Sequence, residues 1–431
     1  MENHEDNSAA IPQILPEEGF GGDYIIASYF YRSAPGEDVY EKARSFAVGQ
    51  TIGTWVPVPG VTHRMKQKHG GRVVNIYDMP PAELITDQPE CSSHIIQIAF
   101  PDENFMPQFP MLYTTLLGND VSTSAQVKLV DIKFSNKFLK AFSGPKFGAS
   151  GVYNYLNLEK RPIVLNMIKP CLGYSPAEGA EIFKKIALGG VDIIKDDELL
   201  ADTKYSPTTE RVRLYAQAAK EVKEITGHET IYCTNITDRF DRCLENAYRA
   251  IDAGAKMLML NFVAAGLSTL QALAENSKIT VPILAHYAGA GAMTESPYSG
   301  ISSPLLLGKF ARLAGADMCL LSSPYSTYPL LKTRYMQIAD NQMLPLGNLM
   351  PTLPVIGGGV HPNSAEKIVG DLGKEVVLAV GGAILGHPNG PTEGAKAIMQ
   401  AAEALGKGIK LSEISKKAGY ESLKLALEIW K

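Results

Sequence analysis

The chain has 431 residues, 45% of them hydrophobic and 20% charged, with 41 Lys and Arg against 45 Asp and Glu. This composition is that of a globular protein with a sizeable core and room for two domains, which excludes a disordered chain. A net charge of −4 leaves no basic footprint for nucleic acid. Cys91, Cys171, Cys233, Cys243 and Cys319 are scattered, odd in number and without CxxC spacing. They argue against a disulfide framework or a zinc site and fit a reducing cytoplasm. Met1–Glu18 is polar and acidic and lacks the pattern of a signal peptide, and no apolar run approaches the roughly 18 residues of a membrane span. The expectation is a cytoplasmic protein with no membrane partner.

Residues 1–22 read as a disordered tail. From 23 to 141 the pattern is α+β: strands over Tyr24–Tyr31, Arg72–Tyr77, His94–Phe100 and Val127–Phe134, and a helix over Asp38–Val48 with Tyr40, Ala43 and Phe46 at helical spacing. The turn formers Phe142–Gly148 mark a domain boundary. From 142 to 431 apolar strands alternate with amphipathic helices. The strands are Pro162–Ile168, Val191–Lys195, Thr230–Asn235, Lys256–Asn261, Val281–His286, Ala316–Leu321, Pro354–Gly357 and Glu375–Val380. Helices fall between them, at Pro176–Leu188, Thr208–Thr226, Cys243–Ala253 and Ser303–Ala314, and Leu411–Trp430 reads as helix at the end. Eight such units in about 260 residues predict a (β/α)8 barrel. An open sheet is the alternative, but it would leave two long edges.

Barrel enzymes build their sites at the C-terminal ends of the strands. Here the first strand ends at Lys169 and the second at Lys195, Asp197 and Glu198; Asn235, Asn261 and His286 end the next three. Charges at the edge of a core require partners. Asp197 and Glu198 could place oxygens on one hard cation, and Lys195 joins them only if its amine takes up CO2 as a carbamate. The alternative is a lysine neutralised by acids on a solvated loop, and spacing does not choose between the two. Gly357–Gly359 and Gly381-Gly382 follow the last two strands. Glycine lets backbone N–H groups approach an anion closely, and phosphate sites in barrels often lie there. A divalent cation beside a phosphate site predicts proton transfer next to the carbonyl of a phosphorylated sugar.

Gly53-Thr54-Trp55, Gly118-Asn119, Gly144–Gly148, Ile168-Lys169-Pro170, Gly189–Glu198 and Gly386–Gly390 resemble motifs of ribulose-bisphosphate carboxylase large chains. The chain is more similar still to the RuBisCO-like proteins that do not fix carbon, over almost its whole length. The resemblance implies a ferredoxin-like N-terminal domain ahead of the barrel, and a homodimer with shared active sites. It implies Mg²⁺ on Asp197, Glu198 and a carbamylated Lys195. It further implies catalytic roles for Lys169, Lys195, His286 and Asn119, and substrate phosphate on Thr54, Trp55, Gly358, Gly359, Gly381 and Gly382.

The departures narrow the activity. Positions that are charged or polar in the carboxylase are Gly49, Cys171, Tyr287 and Leu320 here, and the loop 322–339 lacks its flap pattern. The glycines and Thr54-Trp55 of one phosphate site are kept, whereas the arginine and histidine of the other are replaced by Tyr287 and Leu320. A second phosphate there would be desolvated and unpaired. A substrate with one phosphate and an apolar far end, such as a methylthio group, is expected. Gly49–Gly53, Gly300–Lys309 and Ser323–Tyr325 resemble the 2,3-diketo-5-methylthiopentyl-1-phosphate enolase of methionine salvage. That enolase, however, has a base lysine at Gln97 and usually a lysine at Asn119. The expectation is therefore a proton-transfer enzyme on a mono-phosphorylated ketose, 5-methylthioribulose 1-phosphate isomerase or a related enolase. The alternatives are cleavage or decarboxylation of a 3-oxo acid sugar phosphate (the 3-oxo-isoapionate 4-phosphate type), with Lys332 or Arg334 meeting the carboxylate, or a non-catalytic regulatory protein.

Overall fold

A computed structural model describes residues 13–53, 58–81, 83–84, 92–123, 126–159 and 161–430. The chain forms two units, Met1–Phe142 with Ala290–Leu306, and Ser143–Gly289 with Leu307–Lys431. The stretch expected as a tail contains a helix at Pro16–Gly21 and a bridge from Gln13 to Val73; residues 1–12 lie outside the described residues.

The first unit is built on strands β1 (Tyr24–Arg32), β2 (Arg72–Met79), β3 (Ser93–Pro101) and β4 (Val127–Lys133). β1 is antiparallel to both β3 and β4, and β2 pairs with β3. The spatial order β4-β1-β3-β2 is that of a ferredoxin-like sheet. Asp38 caps the helix Val39–Gly49 by accepting from the N–H groups of Tyr40 and Glu41, and the helix buries Ala43, Phe46 and Ala47.

The second unit is a closed barrel of eight parallel strands. They are β5 (Ile163–Met167), β6 (Ile193–Lys195), β7 (Ile231–Asn235), β8 (Met257–Asn261), β9 (Ile283–His286), β11 (Met318–Ser322), β12 (Leu353–Gly357) and β13 (Val377–Ala379). Between β9 and β11 in sequence, β10 (Gly300–Ile301) pairs with β4 instead. This is why residues 290–306 group with the first unit, although their pattern reads as part of the barrel domain. Leu165, Ile193, Cys233, Met259, Leu284 and Val377 interdigitate in the barrel interior.

Buried carboxylates ahead of two of the strands are met by a cation or by backbone N–H groups. Arg161 grips Asp192, ahead of β6, at 2.7 and 2.8 Å. Asp317, ahead of β11, accepts N–H groups from Phe147, Gly148 and Ile283 at 2.6, 3.0 and 2.9 Å. Burial raises the Asp317 carboxyl while those donors oppose the rise. Two helices differ from expectation. Pro304–Phe310 is a π-helix running into Ala311–Leu313, and the last stretch splits into Leu411–Ile414 and Glu421–Ile429. Gly419, at φ 88°, takes the left-handed conformation between the latter two. Among the described residues no helix is long and apolar enough to cross a membrane.

Candidate active site

β6 is short because its sequence changes from apolar to charged at Lys195, yet Lys195 is wholly buried. Its Nζ donates to the Asp196 carbonyl at 2.9 Å and lies 3.5 Å from Glu198 Oε2. Burial lowers the Lys195 pKa, against the pull of Glu198 and Asp197. The neutral amine so favoured is the form that can add CO2.

Lys169, just beyond β5, places Nζ 2.5 Å from Asp197 Oδ2 and 3.2 Å from Cys171 Sγ. Burial alone would lower its pKa, but the bonds to Asp197 and Cys171 leave it raised. Burial acts to raise Asp197, and the Lys169 ammonium and the Leu199 N–H overcome this and hold it low. Glu198 is fixed by its main chain: its carbonyl accepts from Asn235 Nδ2 at 3.2 Å and Asn261 Nδ2 at 2.8 Å. Among the described residues its carboxylate has only long contacts, to Lys195 and to His286 Nε2 at 3.4 Å. His286 Nδ1 accepts the Ala288 N–H at 3.2 Å, so a neutral ring carries its proton on Nε2 toward Glu198. Burial, and then the charge of Lys169 and of Lys195 whenever it is protonated, push the His286 pKa well down, which keeps the ring neutral.

Asp196 faces away from this group and accepts from Arg211, Tyr232, Thr234 and the Asn235 N–H at 3.1, 2.7, 3.2 and 2.9 Å. Sequence reading passed over this support. Its one signal is Arg211, a cation on the apolar face of the helix Thr208–Thr226 beside Val212 and Tyr215. β12 ends in glycines, with Gly358 and Gly359 at φ 89° and 88°, and the Gly358 carbonyl accepts the Thr327 N–H at 2.9 Å. A methyl group on Gly381 would come within 2.5 Å of Met167 Sδ and 3.9 Å of Lys169 Cε, so the backbone after β13 lies beside the Lys169 stem. Gly382 opens the helix Gly382–Leu385. Opposite in barrel order, the Tyr287 ring stacks on His286 with centroids 5.5 Å apart, and its hydroxyl meets Ser322 Oγ at 2.9 Å. Tyr287 also packs against the interior cluster that contains Leu320.

The barrel thus brings together Lys169, Lys195, Asp197, Glu198 and His286. Asn119 begins the helix Asn119–Ser122 in the first unit, and Thr54 and Trp55 lie outside the described residues. Among the described residues, no three His, Cys, Asp or Glu side chains are placed to hold a metal. The set reaches three oxygen donors only with Lys195 as a carbamate. Such a set suits a hard cation, and the long contacts of the Glu198 carboxylate leave it free to serve.

The profile of the ribulose bisphosphate carboxylase large chain catalytic domain matches residues 148–323 and 339–430, and that of its N-terminal domain matches 19–138. The chain belongs to the RuBisCO large-chain family. Within it, the chain is 41% identical to a ribulose bisphosphate carboxylase-like protein of Archaeoglobus fulgidus, over 93% of this chain and 91% of that one. It is 38% identical to the 2,3-diketo-5-methylthiopentyl-1-phosphate enolase of Bacillus cytotoxicus, over 94% and 97%. Among solved structures, the RuBisCO-like protein MtnW of Alicyclobacillus acidocaldarius superposes with a TM-score of 0.87 at 34% identity, covering 95% of this chain and all of that one. The Lys-Asp-Asp-Glu run at 195–198, Tyr287 and Leu320 all lie within the stretch that the catalytic-domain profile matches.

Proposed function

We propose that this chain is a non-carboxylating RuBisCO-like enzyme that enolises a ketose bearing one phosphate, with 5-methylthioribulose 1-phosphate as the substrate it suits best. The observation that carries this reading is the Tyr287–Leu320 wall. A half-buried tyrosine bonded to Ser322 beside an interior leucine offers no cation to a second phosphate, and it matches an apolar methylthio end. Its relationship to enolases acting on a methylthio-pentyl phosphate supports the same substrate shape.

Asp197, Glu198 and the carbamate of Lys195 would hold Mg²⁺, which supplies charge stabilisation to the oxygens of an enediolate. The protein's own groups divide the remaining work. Backbone N–H groups around Gly358, Gly359, Gly381 and Gly382 orient the phosphate. Neutral His286 presents Nε2–H as a donor to a substrate oxygen. Lys169 Nζ takes the proton from carbon. Separated from Asp197, it is left with the burial that favours the neutral amine. Gln97, an amide bonded to Ser28 Oγ at 3.2 Å, has no basic atom for that role.

The test is incubation of the enzyme with 5-methylthioribulose 1-phosphate, Mg²⁺ and bicarbonate in deuterated water, read by NMR. Deuterium is expected next to the carbonyl; its absence at enzyme concentrations that bind the substrate refutes the assignment. The 3-oxo acid reading draws less support. Lys332 is paired with Asp371 and bonded to Tyr325 at 3.3 Å, so its charge is already met, while Arg334 is exposed and bonded to the neutral Gln337 at 2.9 Å.

The reading includes a homodimer in which Asn119 of one subunit completes the barrel site of the other. Mixing inactive Asn119→Ala and Lys195→Ala proteins, after unfolding and refolding together, is expected to restore up to about a quarter of wild-type activity, because random pairing makes half of the dimers mixed and each mixed dimer has one intact site of two. No recovery in dimers shown by mass to be mixed would mean that each subunit builds its site alone.

A further inference from the structure

The first unit carries a second cluster that the barrel chemistry does not use. On the central strand β3, His94 lies opposite Tyr31 of β1 and Asp78 of β2. Its Nδ1 is 2.7 Å from Asp78 Oδ1, and its Nε2 is 3.0 Å from the hydroxyl of Ser33, which follows β1. His94 and Ser33 are buried, at 2% and 6% exposure, while the Asp78 side chain is half exposed. An ionised carboxylate only accepts, so Asp78 fixes the ring proton on Nδ1 and leaves the Nε2 lone pair facing the Ser33 hydroxyl. The competing acceptor for that hydroxyl, the Ser92 carbonyl, is farther away at 3.3 Å. Nucleophile, base and orienting acid thus stand in the geometry that activates a serine.

Ser33 also lines a surface concavity of about 360 Å³ with Arg32, Glu37, Lys42 and Gln126. Arg32 and Lys42 bring two positive charges against the one of Glu37. Lys42 lies 3.8 Å from Glu37, which also accepts from Tyr31 and the Ala34 N–H. The Arg32 guanidinium sits over the Tyr298 ring at 5.5 Å, without losing its charge. The nearest backbone donors are engaged, Ser33 N–H with the Ser92 carbonyl and Ala34 N–H with Glu37. An oxyanion would find no ready N–H pair, so rapid turnover is not expected.

We propose that Ser33, His94 and Asp78 form an acyl-accepting site, in which Ser33 Oγ takes one acyl group from an anionic activated donor of the acyl-phosphate class. The Oγ–carbon bond forms as the bond from the acyl carbon to the phosphate oxygen breaks. The hydroxyl proton passes to His94 Nε2 and on to the departing phosphate. No oxidation state changes, and no further reactant is needed.

Acetyl phosphate tests this on the intact protein, with acetylated positions mapped by peptide mass spectrometry. Ser33 is expected to reach close to one acetyl group per chain, and Ser33→Ala to abolish that label. Asp78→Asn is expected to slow it at least about tenfold, since loss of the orienting acid in a working triad costs far more. The half-exposed position of Asp78 makes that variant safe for folding, and an unchanged melting temperature checks it. Acetylation of surface lysines alone, or Ser33 labelling at the wild-type rate in folded Asp78→Asn, overturns the site. Arg32→Gln should slow labelling by acetyl phosphate but not by neutral p-nitrophenyl acetate. Equal effects on both donors overturn the anionic class.

Discussion

Lys195→Ala is expected to lower turnover by about a thousandfold or more, the scale seen when a main electrostatic group of a site is lost. The change removes both the carbamate nitrogen and one of three oxygen donors. It leaves the barrel able to fold, because Lys195 contributes only a bond to the Asp196 carbonyl and a long contact to Glu198. The same model makes wild-type activity depend on preincubation with bicarbonate, since burial holds Lys195 toward the neutral amine that adds CO2. The two readings are separable: turnover that survives in Lys195→Ala sinks the carbamate, whatever the substrate. Carboxylation of ribulose bisphosphate is expected to be absent in the wild type, and measurable fixation would overturn the roles given to Tyr287 and Leu320.

Arg211→Leu is expected to destabilise the protein by about 3–5 kcal/mol, the cost of stranding one member of a buried ion pair. Arg211 and Asp196 are both fully buried, and the Asp196 carboxylate holds Tyr232, Thr234 and the Asn235 N–H as well. Without Arg211 that carboxylate keeps its desolvation cost and loses its cation. The fall is read from the urea midpoint of unfolding at unchanged m-value. Arg211→Leu combined with Asp196→Asn should recover part of the loss, because the stranded charge is gone. A single-mutant effect below about 1 kcal/mol would show that the pair is not what holds the β6–β7 junction. Activity should fall in parallel even where the fold persists, since Asn235 anchors the Glu198 carbonyl.

Periodicity alone located every barrel strand, because each strand buried on both faces is a short apolar run between helices of 3.6 periodicity. The composition of the strand ends brought Lys169, Lys195, Asp197, Glu198 and His286 to one mouth of the barrel, since parallel strands share a direction. What sequence left open was the state of those groups. Whether Lys195 is solvated or buried turns on neighbouring strands far away in the chain, and so does the choice of Asp196 as a structural anchor rather than a third acid in the site. β10 shows the same limit. Two residues are too few for a period, and only their hydrogen bonds to β4 assign them to the first sheet. Ser33, Asp78 and His94 are unremarkable polar residues in three separate strands or strand ends, and register alone makes them neighbours. Sequence by itself determined the fold class and the chemical inventory of the barrel mouth, because these follow from local pattern. Tertiary structure decided burial, pairing and protonation, because those depend on contacts between residues distant in sequence.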